Sequence, residues 1–335
     1  MDTKYLIIGL GSMGKRRIRN LMSLGIKNIA GFDPRADRRD EAKNKYGISV
    51  FEEFEIAVAE FKPKAYVIST PPDMHMHYAY HAIDRKINCF IEASVVDLEK
   101  IYQLVEKIKH LPIVMAPSCT MRFFPGPRKI RELIDDEVIG KILTINYHTG
   151  QYLPDWHPWE RVQDFYVAQR ETGGAREIVP FELNWLNDIF GTPIPLACFK
   201  EKLSDIPVDI DDYYHCVLKY NENILLNLTV EVLSRPTSTR YMRIVGSDGL
   251  IIFDGEANSV KYKNKYMTEW DESKFDSGNI QYMYINPEEP YIAEMKCFID
   301  AVQVQSQALF PHSLEKDSLL LETLIGLEKL SGNSK

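Results

Sequence analysis

Short apolar runs recur through the first third of the chain, at 4–9, 28–33, 48–51, 65–70, 88–92 and 112–116, with helix-like stretches between most of them. Tyr66-Val67-Ile68 and Cys89-Phe90-Ile91 are apolar throughout, the pattern of strands buried on both faces. Asp73 to Lys86 reads as a helix, and Leu98 to His110 carries apolar residues at helical spacing. Strand and helix in alternation imply a parallel sheet covered on both sides.

The pattern changes after Pro125. A helix over Arg128–Ile134 is followed by Gly140-Lys141, a strand-like run over 142–148 and an irregular stretch over 149–175. A helix is expected near 178–190, then strands near 196–203, 213–220, 224–233, 240–246 and 249–253, with turn signals such as Asn221-Glu222-Asn223 and Ser247-Asp248-Gly249. Two helices, near 290–305 and 313–331, close the chain. The expected class is α/β: a doubly wound parallel sheet over 1–122, then an α+β domain over 123–335 with a large, mainly antiparallel open sheet. The closing helices are free to pack back on the first domain. A chain of 335 residues, 45% of them hydrophobic, can supply two such cores.

The first apolar run leads directly into Gly9-Leu10-Gly11-Ser12-Met13-Gly14 and a helix-like segment. In this Rossmann-type fingerprint Gly9 permits the turn, Gly11 admits a pyrophosphate against bare backbone, and Gly14 lets helix and strand approach. Ser12 and Met13 open the helix, where unpaired N–H groups can receive phosphate. The second run ends in Asp33, where an acid can accept the ribose hydroxyls. This favours NAD as the cofactor, while Arg35, Arg38 and Arg39 leave NADP open. The plainer alternative is a glycine-rich turn that holds nothing.

A formal charge of −8 argues against nucleic acid or an anionic membrane as partner. No run reaches the length of a membrane span, and the N-terminus reads as a strand rather than a signal peptide. Five scattered cysteines suggest reduced thiols and a cytoplasmic protein. The cluster Lys15, Arg16, Arg17 and Arg19 reads most simply as the solvated face of the first helix. His75, His77 and His81 come with no convincing further ligand, so no metal is expected.

The chain resembles the Gfo/Idh/MocA family of sugar and inositol oxidoreductases from Tyr5 to Ser331. Thr70-Pro71-Pro72-Asp73-Met74-His75 is similar to the family's Thr-Pro-x-x-x-His segment under the cofactor, and Arg122-Phe123-Phe124-Pro125 to its Arg-Phe-x-Pro crossover. Gly173-Gly174, Glu177, Phe181, Asn184 and Gly191 follow its second active-site segment. The resemblance implies that Thr70, Pro71, His75 and Glu92 border the cofactor, and that Arg122, Phe181 and Asn184 border the substrate. It also implies a homodimer or homotetramer paired through the open sheet. Two positions depart from the pattern. Glu92-Ala93-Ser94 stands for Glu-Lys-Pro, and Glu177-Ile178-Val179-Pro180-Phe181 for Asp-x-x-x-His. The family's catalytic lysine and histidine are thus Ala93 and Phe181.

Catalysis then needs another proton-handling group, and Glu177 and His157 are the candidates. Pro180 suits the first turn of a helix starting near Ile178, on which Phe181, Asn184 and Asp188 share a face, while Glu182 is rotated away. A carboxylate at a helix start is also explained by the helix dipole alone. Tyr152, Asp155 and Trp156 lie with His157 in an aromatic-rich segment suited to a carbohydrate, or to simple loop packing. Tyr166, Arg170 and Arg176 could hold a substrate carboxylate or phosphate. Three functions follow: an NAD(P)-dependent oxidoreductase acting on a hydroxyl or keto group of a sugar, sugar acid or nucleotide sugar; a catalytically degenerate regulatory protein that binds dinucleotide and sugar; or, less favoured for want of two strong proton-handling groups, a sugar elimination or epimerisation that uses bound NAD as a transient oxidant.

Overall fold

The structure is a computed structural model that describes residues 3–332. The ends of the two expected domains, 1–2 and 333–335, lie outside the described residues. The chain divides into two units. One comprises the residues up to Thr120 together with Glu288–Ser318; the other comprises Met121–Pro287 and the residues from Leu319 on.

In the first unit strands β1 (Tyr5–Ile8), β2 (Ile29–Phe32), β3 (Ser49–Phe51), β4 (Ala65–Ile68), β5 (Asn88–Ile91) and β6 (Met115–Pro117) form one sheet in the order β3-β2-β1-β4-β5-β6. Every pairing in it is parallel. All four residues of β1, β2 and β4 are buried, which their apolar sequences require. Helices α1 (Ser12–Ser23), α2 (Ala36–Tyr46), α3 (Phe54–Phe61), α4 (His75–Asp84) and α5 (Leu98–Ile108) make the connections.

The second unit opens with α6 (Pro125–Asp135), β7 (Ile142–Gly150) and α7 (Ala175–Phe190). The strands β8 (Ile194–Glu201), β9 (Tyr213–Lys219), β10 (Leu225–Glu231), β11 (Thr239–Gly246), β12 (Gly249–Asp254), β13 (Ser259–Asn264) and β14 (Asp271–Lys274) follow. With β7 they form an eight-stranded sheet in the order β14-β13-β12-β11-β7-β10-β9-β8. The β7–β10 pair is parallel and the other pairs are antiparallel. Ile145, Tyr147, Leu226, Leu228, Met242 and Ile244 fill the buried face, whereas Asn146, His148, Asn227, Thr229, Tyr241 and Arg243 alternate with them on the other. The polar strands β13 and β14 are an addition that hydrophobic patterning does not announce. Helix α8 (Glu289–Val304) belongs to the first unit, and the division falls within α9 (Leu314–Gly332). No helix among the described residues is long and apolar enough to cross a membrane.

Candidate functional site

In the first unit the chemistry gathers at the carboxyl edge of the parallel sheet. Ile8 is in register with Phe32 and with Ile68, and Ile68 with Ile91. Gly9, Asp33, Ser69 and Glu92 therefore each follow a strand end at the same level. Strand order reverses between β1 and β4, where ligands of open α/β sheets bind.

The glycine loop fits a dinucleotide. Gly9 has φ +91°, and a Cβ there would meet the Ser69 carbonyl at 2.6 Å. A Cβ on Gly14 would lie 1.9 Å from the Gly9 carbonyl, so the helix can close on the strand only without one. At Gly11 a Cβ would find only the Arg38 guanidinium, at 3.6 Å. The backbone there is open to a phosphate. Asp33 is pinned at the loop: its Oδ2 accepts the Leu10 N–H at 2.8 Å and its Oδ1 the Arg35 N–H at 2.9 Å. Arg35 is drawn to Asp37 and Arg39 to Glu52, while Arg38 stands 3.8 Å from Asp33. His75 Nε2 bonds the Thr70 carbonyl at 2.9 Å, and burial lowers the imidazole's pKa. Thr70 Oγ1, His75 Nδ1 and Ser94 Oγ are buried without a hydrogen-bond partner among the described residues, as groups awaiting a polar ligand would be.

The basic face of α1 corrects the sequence expectation. Arg16 and Arg17 are buried, at 2% and 0% exposure. Arg17 grips Glu92 through Nε at 2.7 Å and Nη2 at 3.0 Å, and its Nη1 lies 2.9 Å from Glu294 on α8. Burial alone would weaken the guanidinium's hold on its proton, but Glu92 and Glu294 more than restore it. Glu294 also accepts bonds from Ser118, the Cys119 N–H and Thr120. Arg16, Arg19 and Asn20 meet Glu288. These acids are mostly some 270 positions away in sequence, which is why charge alone read as solvation.

In the second unit α7 starts at Ala175, a turn earlier than expected, behind Gly173 and Gly174. A Cβ on Gly173 would collide with the Val167 backbone at 2.1 Å. Its absence lets the turn bearing Tyr166 lie against the helix start. Pro180 is therefore interior to the helix and has no N–H to donate. Burial of Ala175, Val179 and Leu183 and the Arg176–Glu328 ion pair at 2.8 Å offset that cost.

Tyr166 donates to Glu177 Oε1 at 2.7 Å, while Glu177 Oε2 is shut from solvent with no partner among the described residues. Burial pushes the carboxyl pKa up to about 7, against the opposing pull of the Tyr166 bond. Glu182 points away from this group into the interior. It is fully buried and accepts from Tyr147 at 2.7 Å, Trp185 at 2.8 Å and Arg240 at 2.8 Å. This anchor of α7 was not legible as such; Trp185 three residues later and Tyr147 on β7 are its only sequence traces.

The aromatic segment joins Glu177 through a chain of ring contacts, stacked at His157 and edge-on between Phe165 and Tyr166. His157 lies between Trp159 and Phe165 at centroid distances of 4.9 and 4.6 Å, and Phe165 meets Tyr166 at 6.1 Å. Trp156 Nε1 is buried without a partner among the described residues, Asp155 is exposed, and the Arg235 guanidinium sits 4.5 Å over the Tyr152 ring. Asn184 is buried and Phe181 half-buried on α7; Asp188, one turn on, takes Arg122 at 2.6 Å and also Arg131. Arg170 is held by Asp209 and Asp211, and Arg176 by Glu328, so their charges are met by this chain's own acids.

Residues 3–115 match the oxidoreductase family described by its NAD-binding Rossmann fold, and residues 128–252 match the GFO/IDH/MocA C-terminal domain. The chain belongs to the GFO/IDH/MocA family. Its first unit thus carries the family's NAD-binding domain. A curated relative, oxidoreductase P35 of Formosa agariphila, is 32% identical over 88 residues, 26% of this chain and 27% of that one. The 2,7-anhydro-N-acetylneuraminate hydratase of Mediterraneibacter gnavus is 23% identical over 141 residues, 42% of this chain and 37% of that one. The chain thus aligns with well under half the length of either relative. A solved levoglucosan dehydrogenase in complex with NADH and levoglucosan shares the fold, with a TM-score of 0.84 at 14% identity over 100% of this chain and 98% of that one.

Proposed function

We propose that this GFO/IDH/MocA protein is an NAD-dependent oxidoreductase acting on a hydroxyl or keto group of a sugar, sugar acid or nucleotide sugar, with Glu177 as its proton-handling group. One observation carries the assignment of Glu177. Its carboxyl is half protonated near neutrality, with one oxygen oriented by Tyr166 and the other unpartnered.

Bound NAD would supply the hydride acceptor. Gly9, Gly11 and Gly14 would cradle its diphosphate, Asp33 would receive the adenosine ribose, and Thr70, His75 and Ser94 have polar atoms free for its other end. On this reading Tyr166 holds Glu177 in one orientation, Glu177 Oε2 takes the hydroxyl proton, and the segment from Tyr152 to His157 receives the apolar faces of a sugar. The levoglucosan dehydrogenase that shares the fold supports the carbohydrate class.

Ala93 and Phe181, standing where the family carries its lysine and histidine, favour a second reading. In it the protein binds dinucleotide and sugar without transferring hydride. One experiment separates them. NADH fluorescence is followed while neutral sugars, uronates and nucleotide sugars are added with NAD or NADH. Oxidation or reduction with any of them supports the enzyme; tight dinucleotide binding with silence across the panel supports the binding protein; no dinucleotide binding refutes both.

A further inference from the structure

Cys198 on β8 and Cys216 on β9 face each other in the antiparallel ladder, with their sulfurs 4.0 Å apart. Opposed residues in such a ladder have Cα atoms about 4.5–5.5 Å apart, inside the about 4.4–6.8 Å span of disulfides. Reaching a bond of about 2.05 Å needs side-chain rotation and no change of register. β8 is the outermost strand of the sheet and carries an irregularity between Pro195 and Ala197, beside the pair. Cys198 retains 8% exposure and Cys216 none, so a reagent must be small and must meet Cys198 first.

We propose that Cys198 and Cys216 form a reversible oxidation site whose reagent is hydrogen peroxide and whose product is an intrachain disulfide between β8 and β9. The Cys198 thiolate attacks one peroxide oxygen. The O–O bond breaks, the departing oxygen leaves as water after taking up a proton, and Cys198 becomes a sulfenic acid. Cys216 sulfur then attacks the Cys198 sulfur, and the sulfenic hydroxyl leaves as a second water with the Cys216 proton. Two thiols are oxidised by two electrons in all, and one peroxide is reduced to two waters.

The environment agrees with that order of events. The two sulfurs lie within hydrogen-bond reach, where either thiol can donate, and this contact lowers the Cys198 pKa, which favours the attacking thiolate. Cys297 is more exposed, but burial pushes its thiol up, and Cys89 and Cys119 are less exposed than Cys198, at 0% and 2%. The bond would fasten the outer strand where α9 already packs, since a Cβ on Gly326 would stand 3.2 Å from Pro195.

The test exposes the folded, reduced full-length protein to hydrogen peroxide, removes the peroxide with catalase, denatures the chain and alkylates it with N-ethylmaleimide. Intact mass and peptide mapping should then show two of the five cysteines protected, a Cys198–Cys216 linked peptide, and full reversal by dithiothreitol. In Cys216→Ser, Cys198 should stop at a sulfenic acid trapped by dimedone; in Cys198→Ser, Cys216 should stay reduced. Five alkylated cysteines in the treated parent, a link between other cysteines or between chains, or Cys198 oxidised in the parent without the link would each overturn the proposal. The parent's map decides the matter even where a variant fails to fold.

Discussion

Glu177→Gln replaces the carboxyl by a neutral group of the same shape. Glutamine keeps an oxygen to accept the Tyr166 hydroxyl and resembles the protonated acid. The native carboxyl has its pKa raised from 4.5 to about 7 because burial disfavours the charge. The folded state therefore holds this proton more tightly than the unfolded chain, and stability falls as pH rises from about 4.5 to about 7. The full span corresponds to a loss of about 3 kcal/mol, at about 1.4 kcal/mol per unit of pKa. Glutamine has no charge to bury and escapes that loss. In urea titrations, the variant should match the parent at pH 4 and exceed it by up to about 3 kcal/mol above pH 8. The same change should lower the turnover of an active sugar by about 10²–10⁴-fold, leaving NAD affinity unchanged. In the parent, the pH profile of kcat/KM should bend near 7, and the variant should lose that bend. A stability difference independent of pH would refute the claim that burial raises this pKa. Parental turnover in the variant would remove Glu177 from the chemistry.

Gly11→Ala should leave the melting temperature near the parent's, because the added Cβ meets only the Arg38 side chain at 3.6 Å, while calorimetric NAD affinity drops at least about tenfold through crowding of the diphosphate. Gly14→Ala should instead fail to fold normally, its Cβ being placed 1.9 Å from a backbone oxygen; a native melt would contradict the loop geometry. Arg17→Met should cost about 3–5 kcal/mol in denaturant unfolding by stranding Glu92 and Glu294. A change below about 1 kcal/mol there would mean that the ion pairs do not anchor α8. Sedimentation at micromolar concentration should give a dimer or tetramer, and Tyr241→Glu on the uncovered sheet face should shift it towards monomer; a monomeric parent refutes pairing through that face.

The amino acids by themselves determined the parallel sheet and its phosphate loop. Wholly apolar strands have nowhere to go except between two layers of helices, and the roles of Gly9, Gly14 and Asp33 depend on neighbours within one βαβ unit. Local spacing suffices for such features. The antiparallel strands of the second unit were legible for the same reason, down to turns such as Ser247-Asp248-Gly249, whereas β13 and β14 lack the apolar alternation that marks a half-buried strand. Tertiary structure alone decided what the charges do. Arg16 and Arg17 look like solvent-facing helix residues until Glu92, Glu288 and Glu294 arrive from distant segments and make their burial tolerable. Pro180 reads as a helix start until packing on both sides of it carries α7 a turn further back. The same holds for Glu177, whose acidity was not written at position 177: it comes from the walls that exclude water and the one hydroxyl that reaches it, and a buried charge takes its proton affinity from those surroundings.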